Sequence, residues 1–157
     1  MKSRLLASLA VSAVVVLGAS GCSMISPQAT TIAYSPAEGV AVPASGPVEV
    51  RNALLVADET GSSANFLAAL INDTDESASI IIGVGGETQR VRVDAHSTVS
   101  LGVDGEDPLL FEGLDTHPGA TLAVSFQSGD GTGVEREIPV LDGGLDYLEE
   151  YVPAESE

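Results

Sequence analysis

Apolar and polar residues alternate along this chain with a period of two over most of its length. In Val48-Glu49-Val50-Arg51-Asn52-Ala53-Leu54-Leu55-Val56 the even positions are apolar, with Asn52 the exception. Val91 and Val93 alternate with Arg90, Arg92 and Asp94. Val99, Leu101 and Val103 alternate with Thr98, Ser100 and Gly102. Leu122, Val124 and Phe126 alternate with Thr121, Ala123, Ser125 and Gln127. Val134, Ile138 and Val140 continue the pattern, which Arg136 breaks. Such alternation predicts strands with one face in a core and one in water. Phe66 to Ile71 (FLAALI) and Ile80 to Val84 (IIIGV) are apolar on both faces and suit central strands covered on both sides, although FLAALI alone also suits a helix.

The punctuation agrees. Gly85-Gly86, Gly105, Gly119 and Gly129-Asp130-Gly131 separate these runs at intervals of roughly 8 to 12 residues, the rhythm of an all-β sandwich or barrel. No amphipathic helix longer than about ten residues is readable. The fold expected is an antiparallel sandwich of seven to nine strands, immunoglobulin- or cupredoxin-like. Tryptophan is absent and there is one cysteine, which disfavours an antibody-type domain. No internal repeat is visible. Asn52 is expected either to make a polar contact within the core or to mark an edge strand or bulge.

Two flanks frame this body. Lys2 and Arg4 precede an uncharged apolar run, Leu5 to Ala19, followed by Ser20-Gly21-Cys22. A basic head, an apolar middle and small residues at a cut make an export signal. The run is shorter than the roughly 18 apolar residues a spanning helix needs. Leu17-Gly18-Ala19-Ser20-Gly21-Cys22 resembles a bacterial lipobox, although Ala19 stands where leucine is commoner. Cys22 would then carry a diacylglyceryl group. Each buried methylene contributes about 0.8 kcal/mol, one chain holds only marginally, and two chains hold stably. The organisation expected is a cleaved signal at 1–21, a lipidated tether at 22–29, a folded domain at 30–142 and an acidic tail at 143–157. The tail, with Tyr147 and Tyr151, is expected either to form a short helical turn or to fray. Localisation follows: the extracytoplasmic face of the cell membrane.

Charge changes the picture next. Residues 22–157 hold four arginines, no lysine and all 23 acidic residues, a net charge of about −19. Such a field repels nucleic acid and anionic headgroups and favours basic partners. No phosphate-binding glycine loop and no G-x-S-x-G elbow occurs. Gly61-Ser62-Ser63 lacks the elbow spacing, so no catalytic residue and no enzyme activity is expected.

For metals, the candidates are weak. A soft copper site wants Met, His or Cys ligands. His96 and His117 each fall in a turn, where exposed surface residues are the ordinary outcome, and Met24 falls in the tether. Asp73-Thr74-Asp75-Glu76 opens like a calcium loop, but Ser77 and Ala78 stand where the next ligand and the glycine belong. Asp104-Gly105-Glu106-Asp107 is a second acidic cluster. No cofactor is expected.

Three stretches add a resemblance: Tyr34-Ser35-Pro36-Ala37-Glu38-Gly39-Val40, Val48 to Val56, and Phe66-Leu67-Ala68-Ala69-Leu70-Ile71-Asn72. With the lipobox, they resemble a group of small actinobacterial cell-envelope lipoproteins. That group is distantly similar to periplasmic copper chaperones of the PCu(A)C type, and the kinship implies a cupredoxin-like sandwich. It transfers no copper site. Those chaperones end their ligand set in a His-x-Met pair, whereas His96 precedes Ser97-Thr98, His117 precedes Pro118-Gly119, and no methionine follows Met24. The function expected is a lipid-anchored binding or scaffolding module with an envelope protein partner. The alternative is a metal-handling protein, for copper by ancestry or calcium by charge.

Overall fold

The computed structural model describes residues 11–12, 37–103 and 105–154. The rest of the export segment, Cys22, the tether with Met24, and Asp104 lie outside these residues. The chain divides into two compact units, Met1–Tyr34 and Ser35–Glu157. Of the first, Val11 and Ser12 are helical. Among its described residues the second contains eight strands: β1 (Val48–Ala57), β2 (Ser63–Asn72), β3 (Ala78–Val84), β4 (Glu87–Val93), β5 (Ser97–Leu101), β6 (Leu109–Glu112), β7 (Thr121–Ser128) and β8 (Val134–Leu141).

The strands hydrogen-bond in the order β4-β3-β7-β8-β1-β2-β5, and β6 also pairs with β2. The path folds into two layers. One is β4-β3-β7-β8, and the other is β1-β2 with β5 and β6. β2 uses one edge twice: Ser63 to Phe66 pair with β6, and Ala68 to Asn72 pair with β5. β8 links the layers. It runs antiparallel to β7 up to Pro139, and then Val140 and Leu141 lie parallel to Leu55 and Val56 of β1. Proline has no N–H to give a ladder, which suits the point where the strand changes partners. The all-β sandwich expected from periodicity is therefore present, with one parallel pair among its antiparallel ones.

Inner-facing residues of both layers form one core. Phe66, Leu70 and Phe111 meet Ile80, Ile82, Phe126 and Ile138, all fully buried. The Phe66 and Phe126 rings lie 6.0 Å apart across the layers, tilted by 51°.

Three expectations are corrected. The even-numbered positions of β1 do not share one face. Arg51 pairs with Ala69 and Leu54 with Leu67, so β1 carries one extra residue there, a bulge. One added residue swaps the faces of everything after it. Val48 and Val50 face the main core, followed by Ala53, Leu55 and Ala57, while Leu54 and Val56 turn outward into a second apolar cluster. Asn52 sits in the bulge at φ 51°, a left-handed conformation that asparagine tolerates. Its side-chain oxygen accepts the Gly39 N–H at 2.9 Å, so it ties the entering chain to β1 instead of bonding within the core. Second, β3 is central in its layer, but its outward Ile81 is only half-buried, flanked by Arg90 and Gln127. Third, β5 ends at Leu101. Gly102 turns the chain at φ 87°, which leaves Val103 exposed rather than on the core face.

FLAALI is a strand. Phe66, Ala68 and Leu70 face the core, and Leu67 faces the second cluster.

Candidate functional site

The two histidines do not converge, and of the two only His96 meets an acidic loop. His117 lies against Gly61, just before the start of β2, and the Thr116 N–H donates to the Gly61 carbonyl. His96 lies past the other end of β2, where its N–H donates to the Thr74 carbonyl. The length of β2, roughly 30 Å at about 3.3 Å per residue, separates the two. His96 Nε2 lies 3.0 Å from Asp75 Oδ1, a surface pair in which Asp75 is almost fully exposed. Exposed pairs of this kind contribute roughly 0 to 1 kcal/mol. Among the described residues, no three His, Cys, Asp or Glu side chains are placed to hold a metal ion. The donors that do lie together, Asp75 and His96, lack the soft sulfur partner a Cu(I) site wants.

The acidic turn 73–77 is instead organised from beneath by Asn72, at the end of β2. Its side chain is fully buried. Nδ2 donates to the carbonyls of Glu76, Val93 and Asp94 at 2.9, 3.1 and 3.1 Å. Oδ1 accepts from the Thr74 N–H and hydroxyl at 3.1 and 2.7 Å. One amide thus fastens the β2–β3 turn to the β4–β5 turn that carries His96.

At the other end, Asp58 closes the β1–β2 connection. Burial opposes its charge, but the hydroxyls of Ser62, Ser63 and Thr60 and a backbone N–H outweigh that and hold its carboxyl below the ordinary 3.8. Those hydroxyls are 3.0, 3.1 and 3.1 Å from Asp58 Oδ2. Ser62 and Ser63 donate to a carboxylate here. A carboxylate held below its ordinary value is a weak base for activating a hydroxyl. The cluster is a structural latch.

The best-formed cleft lies elsewhere, on the outward face of β1-β2-β5. Leu54, Val56 and Leu67 form an apolar stripe there, a consequence of the bulge. The C-terminal segment crosses the stripe as a strap. Leu148, Tyr151 and Val152 have the i, i+3, i+4 spacing of one helical face, and a 3-10 turn at Glu149–Tyr151 sets them down on the stripe. Two hydrogen bonds pin the strap: Asn65 Nδ2 donates to the Tyr151 carbonyl at 2.9 Å, and Tyr151 Oη donates to the Gly102 carbonyl at 2.5 Å. Gly102 permits the approach, because a Cβ there would stand 2.9 Å from Leu67 Cδ2 and 3.2 Å from the Tyr151 ring. Burial and then the charge of Glu150 push the Tyr151 phenol upward.

Strap and sheet enclose a cleft of about 470 Å³. Its floor is Leu54 and Leu67, with the backbone of Leu101 beside them, since that side chain faces the main core, and its rim carries Glu38, Val103, Tyr147 and Glu150. Tyr147 Oη donates to Glu38 Oε1 at 2.6 Å across the mouth. That bond holds the Glu38 carboxyl below its ordinary value and pushes the phenol up. A wider depression of about 1,000 Å³ lies by the turn 73–77, but its walls, among them Asp75, Glu76, Arg90, Gln127 and Asp130, are exposed and polar. Binding clefts combine an apolar floor with a few placed polar groups, and only the strap cleft of these two does so. The sequence carried the signal for it in the Leu148, Tyr151, Val152 spacing. Of the two outcomes expected for the tail, the helical turn is the one formed.

The sequence matches no protein-family model and no curated protein. Among solved structures, the chain is similar to a copper-bound PCuAC domain from PmoF2 (TM-score 0.50, 12% identity, 64% of this chain and 97% of that one). It is likewise similar to the apo PCuAC domain of PmoF2 (0.51, 12%, 65% and 95%). The apo PCuAC domain of PmoF1 is a third (0.52, 16%, 62% and 96%). At these identities the likeness shows the fold, and it bears out the distant similarity to PCu(A)C-type domains read from the sequence.

Proposed function

We propose that this protein is a lipid-anchored, non-enzymatic binding module of the cell envelope, with the strap cleft as the place where its partner docks. The observation that carries this reading is the cleft itself: an apolar floor, a polar rim and two half-exposed apolar side chains, held on a rigid two-layer scaffold. Function on such folds resides in the site rather than the scaffold. Cys22 supplies position. A diacylglyceryl thioether there holds the chain at the outer face of the membrane, and it also removes a lone thiol from an oxidising compartment.

The anchor is tested directly. Replacing Cys22 with serine is expected to move the protein from the detergent phase to the aqueous phase on phase separation. Mass spectrometry of the wild-type N-terminus is expected to find Cys22 lipidated. Unmodified Cys22, or a serine variant that stays with the detergent, refutes the anchor.

A second reading, metal handling, has the likeness to copper-binding domains in its favour. Calorimetric titration with Cu(I) and Ca²⁺ separates the two. Binding tighter than micromolar, lost in His96→Ala or Asp75→Ala, supports metal handling; heats of dilution alone support the binding module.

A further inference from the structure

Large apolar side chains are exposed at few places in the strand unit. Among the described residues they are Val103, Leu110, Leu145 and Tyr147. Val103 and Tyr147, 50% and 51% exposed, stand on the rim of the strap cleft. Leu145 belongs to the same strap, where its carbonyl accepts the Leu148 N–H. Two of the four thus meet at one cleft, while Leu110 stands apart on β6.

The charges around that rim have one sign. Glu38 and Glu150 line the cleft. Glu106 belongs to the turn that carries Val103, to whose carbonyl its N–H donates. Asp146 and Glu149 flank Tyr147 and Glu150 in the strap. No arginine lines the cleft. Arg51 is paired with Glu49 at 2.8 Å, and Arg90, Arg92 and Arg136 sit on β4 and β8. Arg51 stands opposite Ala69 at the edge of the cleft, but its charge is met by Glu49, and the cleft otherwise lies in the general field of about −19. A half-exposed tyrosine between carboxylates is also a face on which an ammonium or guanidinium stacks favourably.

Taking the cleft as the binding site, we infer that its occupant is a basic peptide segment of a partner protein, which sets an aliphatic side chain between Val103 and Tyr147 and places lysine or arginine against Glu38 and Glu150. The apolar contact supplies affinity. The carboxylates supply encounter rate and the choice of partner. A second copy of this chain, with the same negative field, is a poor occupant, and so is an anionic membrane surface.

The test uses the full chain in a zwitterionic detergent and three fluorescein-labelled peptides: Lys-Gly-Leu-Gly-Lys, Lys-Gly-Ser-Gly-Lys and Glu-Gly-Leu-Gly-Glu. Fluorescence anisotropy is expected to show binding of the first. The serine peptide is expected to bind about tenfold more weakly, and the glutamate peptide not at all. Val103→Ser and Tyr147→Ala, both at exposed positions, are each expected to weaken the first peptide about fivefold. Thr121→Ala on the other layer is expected to change nothing. Raising salt from about 0.05 to 0.5 M is expected to lower affinity roughly tenfold, because exposed charges are screened beyond a few ångströms at the higher strength. Equal binding of the leucine and serine peptides overturns the inference, as does wild-type affinity in Tyr147→Ala. Displacement by butylammonium at the same concentration as the peptide also overturns it, since that marks a small-cation site. Crosslinking in intact envelopes keeps this result apart from the broader reading. A neutral or acidic partner captured at Tyr147 removes the basic occupant and leaves the cleft. No partner at the cleft removes both.

Discussion

Replacing Phe126 with alanine is expected to lower the stability of the strand unit by about 3 to 5 kcal/mol. Phe126 is fully buried on β7, and its ring meets Phe66 of β2 in the opposite layer at 6.0 Å. Truncation removes the transfer free energy of the ring and leaves a cavity between two sheets whose backbones are fixed by their own ladders. The surroundings can collapse only partly, so the cavity adds to the cost. One cysteine in the whole chain means that no intrachain disulfide shares the task of holding the layers together. Urea unfolding measures the change, and thermal unfolding should show a drop of roughly 10 to 20 °C. A loss under about 1 kcal/mol would mean that the layers close over the gap and that the core is less rigid than its packing suggests.

Asn72→Ala is expected to cost about 2 to 4 kcal/mol, and its damage should be local in a way that Phe126→Ala is not. The Asn72 side chain serves three carbonyls, one N–H and one hydroxyl while fully buried. Alanine leaves the buried carbonyl of Val93 without its side-chain donor. A buried polar group left unpaired costs about 1 to 3 kcal/mol, and this residue serves several. Hydrogen exchange should speed up first in the turns 73–77 and 94–97, which Asn72 holds together. Asn72→Asp keeps the acceptor but loses the donor, and it buries a charge facing carbonyl oxygens. It should therefore be no better than alanine. Uniform loss of protection across all strands would show that Asn72 supports the core rather than the turns.

The sequence was most informative where one rule dominates. Alternation placed β4, β7 and β8 correctly, because each has one face against the core and one largely open. It misread β1, because a single extra residue at Asn52 swaps the two faces and a fixed period has no means of registering the slip. β6 is four residues long, and its Phe111 gives too short a pattern to read, although that ring is fully buried. The candidate site was the least legible part. His96, His117, Asp73 and Asp75 drew attention by residue type, yet the fold sets the histidines at opposite ends of β2. The cleft instead joins Glu38, Leu54, Leu67, Val103 and Tyr147, which are distant in sequence and become neighbours only through strand register and the crossing of the strap. A helical turn around Tyr147 and Tyr151 was one of two readings of the tail, but what Leu148, Tyr151 and Val152 cover depends on the bulge.

The central claim is that a partner meets this protein at the strap cleft. Site-specific photo-crosslinking in intact envelopes tests it most directly, with the reactive side chain placed at Tyr147 in one variant and at Gln127, beside the wider depression, in another. The account predicts a discrete adduct at Tyr147 that weakens several-fold when Val103 is changed to serine, and none at Gln127. Adducts at Gln127 alone, or at both positions alike, would contradict it.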